Sequence, residues 1–165
     1  MSFPKYLSWR SIKSWRCTTC GRCCREYRVI LRPYEYTSIS RLFGPTAIMI
    51  DSLGNPCLNN VGDRCIFQDF SGSCALQPLG IKPLACKLWP LSVYGSETRM
   101  RRRGEAVFHH RGEEYYIYAN PACTGINKGK PEELPLTLHE IVEISNIPSR
   151  HRNTPHQNAS HQLTD

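Results

Sequence analysis

Four cysteines stand within eight residues near the start of the chain, in the run Cys17-Thr18-Thr19-Cys20-Gly21-Arg22-Cys23-Cys24. Two residues between thiols is the spacing of a metal-binding knuckle, in which the chain folds back and its amides hydrogen-bond the thiolates. Gly21 falls where such a turn often needs a positive φ, which glycine adopts at little cost. The run therefore predicts a tight loop built around a metal centre.

The adjacent pair Cys23 and Cys24 does not suit one mononuclear site equally well. Neighbouring side chains in extended backbone point to opposite sides, so the two thiols are expected to face apart. Cys24 is then either a ligand of a second centre or a free or packed thiol.

The chain holds nine cysteines in 165 residues, about twice the usage of an ordinary domain. An odd number argues against a closed disulfide framework. Residues 1–16 contain no apolar core of signal-peptide length, and no run approaches the roughly 20 apolar residues of a membrane span. We therefore expect a reducing, cytoplasmic location without membrane contact, where clustered cysteines are more often ligands than disulfides.

The length of the chain predicts one domain, with a basic N-terminal arm over residues 1–13 and a disordered polar tail over 148–165. Between them, residues 14–147 are expected to form the metal-binding domain. Twelve prolines and eleven glycines predict short elements joined by tight loops. The expected fold class is a small, irregular α+β domain, stapled by one or more cysteine-ligated metal or iron–sulfur centres.

Local patterns predict the individual elements. Proline and glycine positions and apolar periodicity favour helices over Pro33–Phe43, Leu84–Leu88 and 134–147. The last helix takes its apolar stripe from Leu136, Leu138, Ile141, Val142 and Ile144. Runs rich in β-branched and aromatic residues favour strands over 27–31, 47–53, 64–69, 99–109 and 114–119, the last two joined by a turn at 110–113.

The remaining cysteines fall in blocks that follow the opening motif in a fixed order. These blocks are Cys65 with Gly72-Ser73-Cys74-Ala75-Leu76, then Lys82-Pro83-Leu84-Ala85-Cys86-Lys87-Leu88-Trp89-Pro90, then Cys123-Thr124-Gly125-Ile126. Together the four blocks resemble the cysteine-cluster family named for its CxxCxxCC motif, the zinc- or iron-chelating (YkgJ-like) proteins. The resemblance runs from Cys17 to about Gly129. It implies a metal- or cluster-binding role in the cytoplasm and no particular reaction.

The resemblance also implies a set of metal ligands, and the chain differs from the family pattern at a few positions. The cysteines that fall on the family pattern are Cys17, Cys20, Cys23, Cys24, Cys65, Cys74, Cys86 and Cys123. Lys82 and Lys87 stand where arginine is expected, which removes a planar, bidentate role there, and Thr124 replaces a proline. Cys57 has no counterpart in the pattern, and we interpret it as a small buried apolar side chain.

Eight thiolates fit two tetrahedral zinc sites, or one or two iron–sulfur clusters. Cys17, Cys20 and Cys23 reproduce the triplet of a bacterial ferredoxin, whose next ligand would fall where this chain has Tyr27. Cys86 is our first candidate for a distant fourth ligand. No second knuckle occurs elsewhere in the chain, which favours an iron–sulfur cluster over zinc.

The net charge of +7 is concentrated near the N-terminus, where residues 1–28 carry seven basic side chains against Glu26 alone. Phe3, Tyr6, Trp9 and Trp15 are interleaved with these charges. Cationic side chains mixed with aromatic ones can bind RNA or single-stranded DNA, as could a second basic run over 99–103. We favour the alternative of a solvated basic arm with packed aromatic side chains.

Three function classes follow. The favoured class is a metal- or cluster-binding protein without catalysis of its own, active in storage, transfer or redox sensing. The alternatives are a cluster-dependent enzyme that modifies proteins and a zinc-stabilised nucleic-acid-binding module. The chain has no glycine-rich nucleotide loop, P-loop or HExxH motif, which disfavours the enzyme. We interpret all six histidines as non-ligands, with His110 the least secure: His109, His110, His139, His151, His156 and His161.

Overall fold

The computed structural model describes residues 6–95 and 104–145. The chain divides into two compact units. Of the described residues, the sheet unit contains 6–18, 88–95 and 104–145, and the cysteine unit is Thr19–Lys87. The predicted polar tail at 148–165 and the basic residues at 99–103 lie outside the described residues.

Short elements make up both units, and within the described ranges they comprise eight strands and four α-helices. The strands are β1 (Leu7–Ser8), β2 (Ile48–Ile50), β3 (Pro56–Leu58), β4 (Asn60–Val61), β5 (Arg64–Cys65), β6 (Leu91–Gly95), β7 (Val107–His110) and β8 (Glu113–Ala119). The helices are α1 (Cys23–Glu26), α2 (Pro33–Phe43), α3 (Leu84–Leu88) and α4 (Leu134–Ser145). This mixture of helices and small sheets confirms the predicted α+β class.

The sheet unit is built on β8, which pairs antiparallel with β1, β6 and β7. The predicted hairpin is confirmed where the chain is described, since β7 and β8 are joined at Arg111 and Gly112. Both of these residues have positive φ, 51° and 81°, as tight hairpin turns require. Alternate side chains of β8 face opposite ways, so that Ile117 joins the core under α4 while Tyr116 packs elsewhere.

Helix α4 covers the described part of the helix predicted over 134–147. Leu138, Ile141 and Val142 are buried against the sheet, as predicted. Leu136 was placed in the same stripe, and this is wrong, because its side chain is 71% exposed. Residues two apart on a helix do not share a face, and Leu134 is buried in its place.

The cysteine unit contains the predicted helix Pro33–Phe43 and all but the last residue of the predicted helix Leu84–Leu88, both at their predicted bounds. Its core gathers Val29, Leu31, Ile39, Ala47, Leu58, Cys65, Phe67 and Leu76. The thiol-bearing residues Cys24, Cys74 and Cys86 pack against this core. The cysteine motifs are therefore part of the packing of this unit.

The strands of the cysteine unit are shorter than predicted. The segments 47–53 and 64–69 contain β2 and β5, of three and two residues. The strand predicted over 27–31 is reduced to an isolated bridge between Ile30 and Cys57. Two flanking backbone hydrogen bonds still hold this segment beside β3, although it does not form a regular strand.

The N-terminal segment takes part in the sheet unit. Leu7 and Ser8 of the predicted arm pair with Ala119 and Tyr118 as β1. No helix in the described ranges is long and apolar enough to cross a membrane.

Candidate metal centre

The pattern cysteines are divided between the two units. Cys20, Cys23, Cys24, Cys65, Cys74 and Cys86 belong to the cysteine unit, and Cys17 and Cys123 belong to the sheet unit. All nine cysteines, including Cys57, are free thiols.

The knuckle of the cysteine unit turns on two residues with left-handed backbone, Thr19 (φ 51°) and Gly21 (φ 69°). The positive φ predicted for Gly21 is confirmed. The amide of Cys24 donates to the Gly21 carbonyl at 3.1 Å, which closes the turn and leads into α1. The turn exposes Cys20 and brings Cys23 to the start of the helix.

The extended backbone assumed for Cys23 and Cys24 is wrong, because both lie in α1. A helix separates successive side chains by less than the half-turn of a strand, which allows neighbouring thiols to interact. The two thiols are hydrogen-bonded to each other. That bond, together with burial, raises the pKa of the Cys23 thiol far above its ordinary value.

The middle block brings Cys65 and Cys74 close enough to Cys23 for their charges to interact. Cys65 ends β5 and is buried, while Cys74 forms an isolated bridge with Gln68. Burial raises the pKa of Cys65, and the negative charge of ionised Cys74 and Cys23 would raise it further. Thiols from the first and middle blocks are therefore electrostatic neighbours.

Helix α3 brings the third block to this group. Its first amide, of Leu84, donates to Glu35 Oε1 at 2.7 Å, which ties α3 to α2. Burial raises the pKa of Cys86, and the charges of Cys65, Cys74 and Cys23 add to this effect. Lys82 opposes it with its positive charge.

Four thiols from three motif blocks therefore interact within the cysteine unit: Cys23, Cys65, Cys74 and Cys86. Such a donor set fits zinc, iron or an iron–sulfur cluster, since all three favour thiolate. As they stand, no three histidine, cysteine or acidic side chains in the described part of the chain converge closely enough to hold a metal ion. Thiolate binding of a metal would also require loss of the thiol protons.

The closing block lies beside the segment that leads to Cys17, within the sheet unit. The Arg16 amide donates to the Gly125 carbonyl at 3.1 Å. A Cβ built on Gly125 would stand 2.1 Å from the Arg16 carbonyl oxygen, so only glycine allows this approach. The contact brings the backbone next to Cys123 alongside the backbone next to Cys17.

Thr124, which departs from the family pattern, has a specific contact in this region. Its hydroxyl lies 2.9 Å from the hydroxyl of Thr18, a hydrogen bond that proline could not make. The substitution thus replaces a rigid residue with a side-chain link between the opening and closing blocks.

The surroundings of Cys57 differ from those of the pattern cysteines. Its side chain is wholly buried (0% exposed) in β3, and its thiol approaches the Asn55 carbonyl at 3.5 Å. Burial, reinforced by the charge of Asp51, raises its pKa to about 11. These surroundings are those of a packed, protonated thiol.

Two of the histidines make a contact that the sequence did not indicate. Nδ1 of the buried His110 lies 2.7 Å from Nδ1 of His139, which links the end of β7 to α4. Glu143 Oε1 lies 3.6 Å from His110 Nε2 and accepts from Arg111 at 2.7 Å. The His110 ring therefore has a hydrogen-bond partner at Nδ1 and a carboxylate near Nε2. The histidines at 151, 156 and 161 lie outside the described residues.

Glu35 and Asp69 were not singled out from sequence, and Gly72 was named there only as part of the middle block, without its contact. For Glu35 a signal exists, since an acidic residue at the third position of a helix commonly caps it, and Glu35 accepts from the Arg32 amide at 2.8 Å. Asp69 precedes a Ser-Gly-Ser turn and receives three hydrogen bonds from Ser71 and Ser73. The role of Gly72 depends on a contact between distant segments, which no local pattern reveals.

A family model matches residues 16–124, about two thirds of the chain, and its description is "CxxCxxCC: Putative zinc- or iron-chelating domain". No curated protein and no solved structure matches the chain.

Proposed function

The chain belongs to the CxxCxxCC family, and we propose that it binds an iron–sulfur cluster in a redox or metal-handling role without catalysis of its own. Zinc or iron chelation is the property that the family description names. The cluster is the finer proposal, with all eight pattern cysteines as ligand candidates. The favoured set is the four thiols whose charges act on one another, here called the coupled thiols: Cys23, Cys65, Cys74 and Cys86.

The observation that carries the proposal is the position of Cys86 among the other thiols. A residue more than sixty positions after the knuckle lies close enough for the charges of Cys23, Cys65 and Cys74 to act on it. Holding four thiols together in a partly buried place is unfavourable once they ionise, because like charges repel where solvent screens them poorly. A bound cation or cluster removes that cost, which is the usual reason for such an arrangement.

Lys82 supports a thiolate-bound centre. Its charge favours the ionised forms of Cys23 and Cys86, and its ammonium donates to Gln77 Oε1 at 3.3 Å. A centre held by four thiolates carries surplus negative charge, which a nearby ammonium offsets. Lysine does this as a point charge, without the planar contacts of the arginine expected there.

The nucleic-acid alternative is disfavoured by the packing of Trp9. Its indole Nε1 donates to the Val107 carbonyl at 3.0 Å, and its ring meets Phe108 edge to face at 5.5 Å. Arg10 lies over the same ring at 5.3 Å from its centre. Side chains committed to such contacts do not offer a free stacking surface for bases.

We also propose a reducing, cytoplasmic location. The nine free thiols support it, because exposed neighbours such as Cys17 and Cys20 would be prone to oxidation elsewhere. Labelling of thiols after rapid acid quenching and metal removal should find nearly all of them free, whereas two or more protected pairs would contradict this proposal.

Metal analysis of anaerobically purified protein tests the function. Iron, zinc and acid-labile sulfide are measured per chain together with the visible spectrum. We expect iron and sulfide in comparable amounts and a brown protein with charge-transfer absorbance. Colourless protein with stoichiometric zinc would reject the cluster and retain chelation, and protein that takes up neither metal would reject both.

A further inference from the structure

Gly72 lies directly against the knuckle of the cysteine unit. A Cβ built on Gly72 would stand 2.1 Å from the Thr19 carbonyl oxygen and 3.7 Å from the Gly21 amide nitrogen. The obstructing atom belongs to backbone, so no side-chain rotation relieves the overlap. Gly72 also has φ of 86°, a conformation that other residues rarely adopt.

A second contact joins the same two loops. Gly21 faces the side-chain amide of Gln68, where an added Cβ would stand 1.7 Å from Nε2. Gln68 in turn bridges to Cys74. This contact can yield, because the Gln68 amide ends a flexible side chain, whereas the contact between Gly72 and Thr19 cannot.

Asp69 holds Gly72 in place. One carboxylate oxygen accepts from the Ser71 amide at 2.8 Å, the Ser71 hydroxyl at 2.6 Å and the Ser73 amide at 2.9 Å. The Gly72 amide donates to the Asp69 carbonyl at 3.2 Å. The turn is therefore fixed by its own hydrogen bonds, and it presents a bare backbone surface to Thr19.

We propose that Gly72 is a positioning residue for the metal centre: its contact with Thr19 fixes the spacing between the backbone of Cys20 and Cys23 and that of Cys74. This inference rests on the proposed function. A metal tolerates ligand distances only within about 0.2 Å, so the segments that carry the ligands must be held closely. A Cβ at position 72 displaces the Thr19 backbone by on the order of 1 Å before reaching the 3.0 Å that real Cβ atoms keep.

The chain offers a matched control. Gly80 (φ 72°) and Gly54 (φ 84°) share the backbone conformation of Gly72, yet a Cβ at either meets nothing within 4 Å. Alanine at any of the three positions strains the backbone through its positive φ, and at position 72 the overlap with Thr19 adds a further cost. Only Gly72→Ala moves the knuckle.

The test is a titration of the full chain, freed of its native metal, with cobalt(II) under anaerobic and reducing conditions. Thiolate-to-cobalt absorbance reports the number of thiolate ligands, and the ligand-field bands report their geometry. We expect Gly72→Ala to lower cobalt affinity by on the order of tenfold or more and to shift the bands. Gly80→Ala and Gly54→Ala should keep the wild-type spectrum and affinity.

If Gly72→Ala does not fold, Asp69→Ala replaces it, since it frees the turn without adding an atom, with Asp63→Ala as the exposed control. Asp69→Ala should weaken cobalt binding while Asp63→Ala does not. Cobalt binding by Gly72→Ala, or by Asp69→Ala in its place, that equals its control overturns the inference and leaves the proposed function intact. A wild-type chain without thiolate-to-cobalt absorbance overturns both.

Discussion

Cys57 and the pattern cysteines lie in different surroundings in this molecule. Cys57 is enclosed by β3 and the Asp51 turn, with its proton retained. Cys23 and Cys86 are partly buried beside other thiols and a lysine. Burial contributes to the raised pKa of all three thiols, so it does not distinguish Cys57 from Cys23 and Cys86. The neighbouring side chains distinguish them.

The first prediction concerns alkaline stability. Burial raises the pKa of Cys57 from 9.0 to about 11, so the unfolded chain loses this proton first as pH rises. Its contribution to stability is therefore complete below pH 9 and declines as pH approaches 11. Cys57→Ser should lower the free energy of unfolding by about 1 kcal/mol at pH 7. Because serine does not ionise in this pH range, the variant should also lose up to about 2 kcal/mol less stability than the wild type as pH rises. Urea unfolding from pH 8 to 11 measures this, and parallel profiles for variant and wild type would contradict it.

Sequence reasoning succeeded at residues whose role is local. Gly21 was identified because a two-residue knuckle needs a turn, and the turn needs positive φ. The contacts of Gly72 and Glu35 could not be predicted, because their partners, Thr19 and Leu84, lie about fifty residues away in the sequence. The spacing between cysteines indicates a metal site but does not say what holds the blocks together.

At the scale of elements, α4 shows how an apolar pattern can mislead at its edge. Leu136 and Leu138 both suggested a buried stripe, yet they lie some 200° apart around the helix. Only the sheet opposite decides which is buried. The bounds of α2 were predictable because Pro33 and Gly44 mark its two ends. The strand predicted over 27–31 failed because strand assignment depends on pairing with β3 rather than on composition.

The second prediction compares two leucines of this helix. Leu138→Ala removes a wholly buried side chain (0% exposed) and should destabilise the protein by about 2–4 kcal/mol. Leu136→Ala alters an exposed side chain and should change stability by no more than about 0.5 kcal/mol. Denaturant unfolding of both variants measures the difference. Equal losses would show that α4 does not bury the face assigned to it.

On the scale of the whole molecule, contacts between distant segments determine how the chain divides. Leu7 pairs with Ala119, and the Arg16 amide bonds Gly125, so the start of the chain folds onto residues more than a hundred positions later. Composition predicted the α+β class, since it reflects short elements and tight turns. It carries no information about pairings at such separations.

The third prediction follows from the raised pKa values of Cys23, Cys65 and Cys86. At neutral pH these thiols keep their protons in the metal-free protein, so metal must displace them. Raising the pH removes the competing proton, and affinity should therefore increase with pH, by up to about tenfold per pH unit for each proton released. Competition with a zinc indicator from pH 6 to 8 measures this. Affinity that does not change with pH would contradict the account.

The fourth prediction is that metal stabilises the fold. In the proposed centre, thiols from blocks far apart in the chain bind one metal, and the unfolded chain would not preserve that arrangement. Metal at about a thousandfold excess over its Kd should add roughly 4 kcal/mol to stability. Calorimetry with and without a chelator under reducing conditions tests it. A metal-free form that melts at the same temperature as the loaded form would exclude this coupling.

The most direct test of the central claim is the metal content of Cys86→Ser beside that of Cys57→Ser, each purified anaerobically with the wild type. Both changes replace a thiol that is at least partly buried with a hydroxyl, but only Cys86 lies among other thiols. We predict that Cys57→Ser retains the wild-type metal content per chain and that Cys86→Ser loses most of it. Equal metal loss in the two variants, or full retention by Cys86→Ser, would contradict a centre built on the coupled thiols.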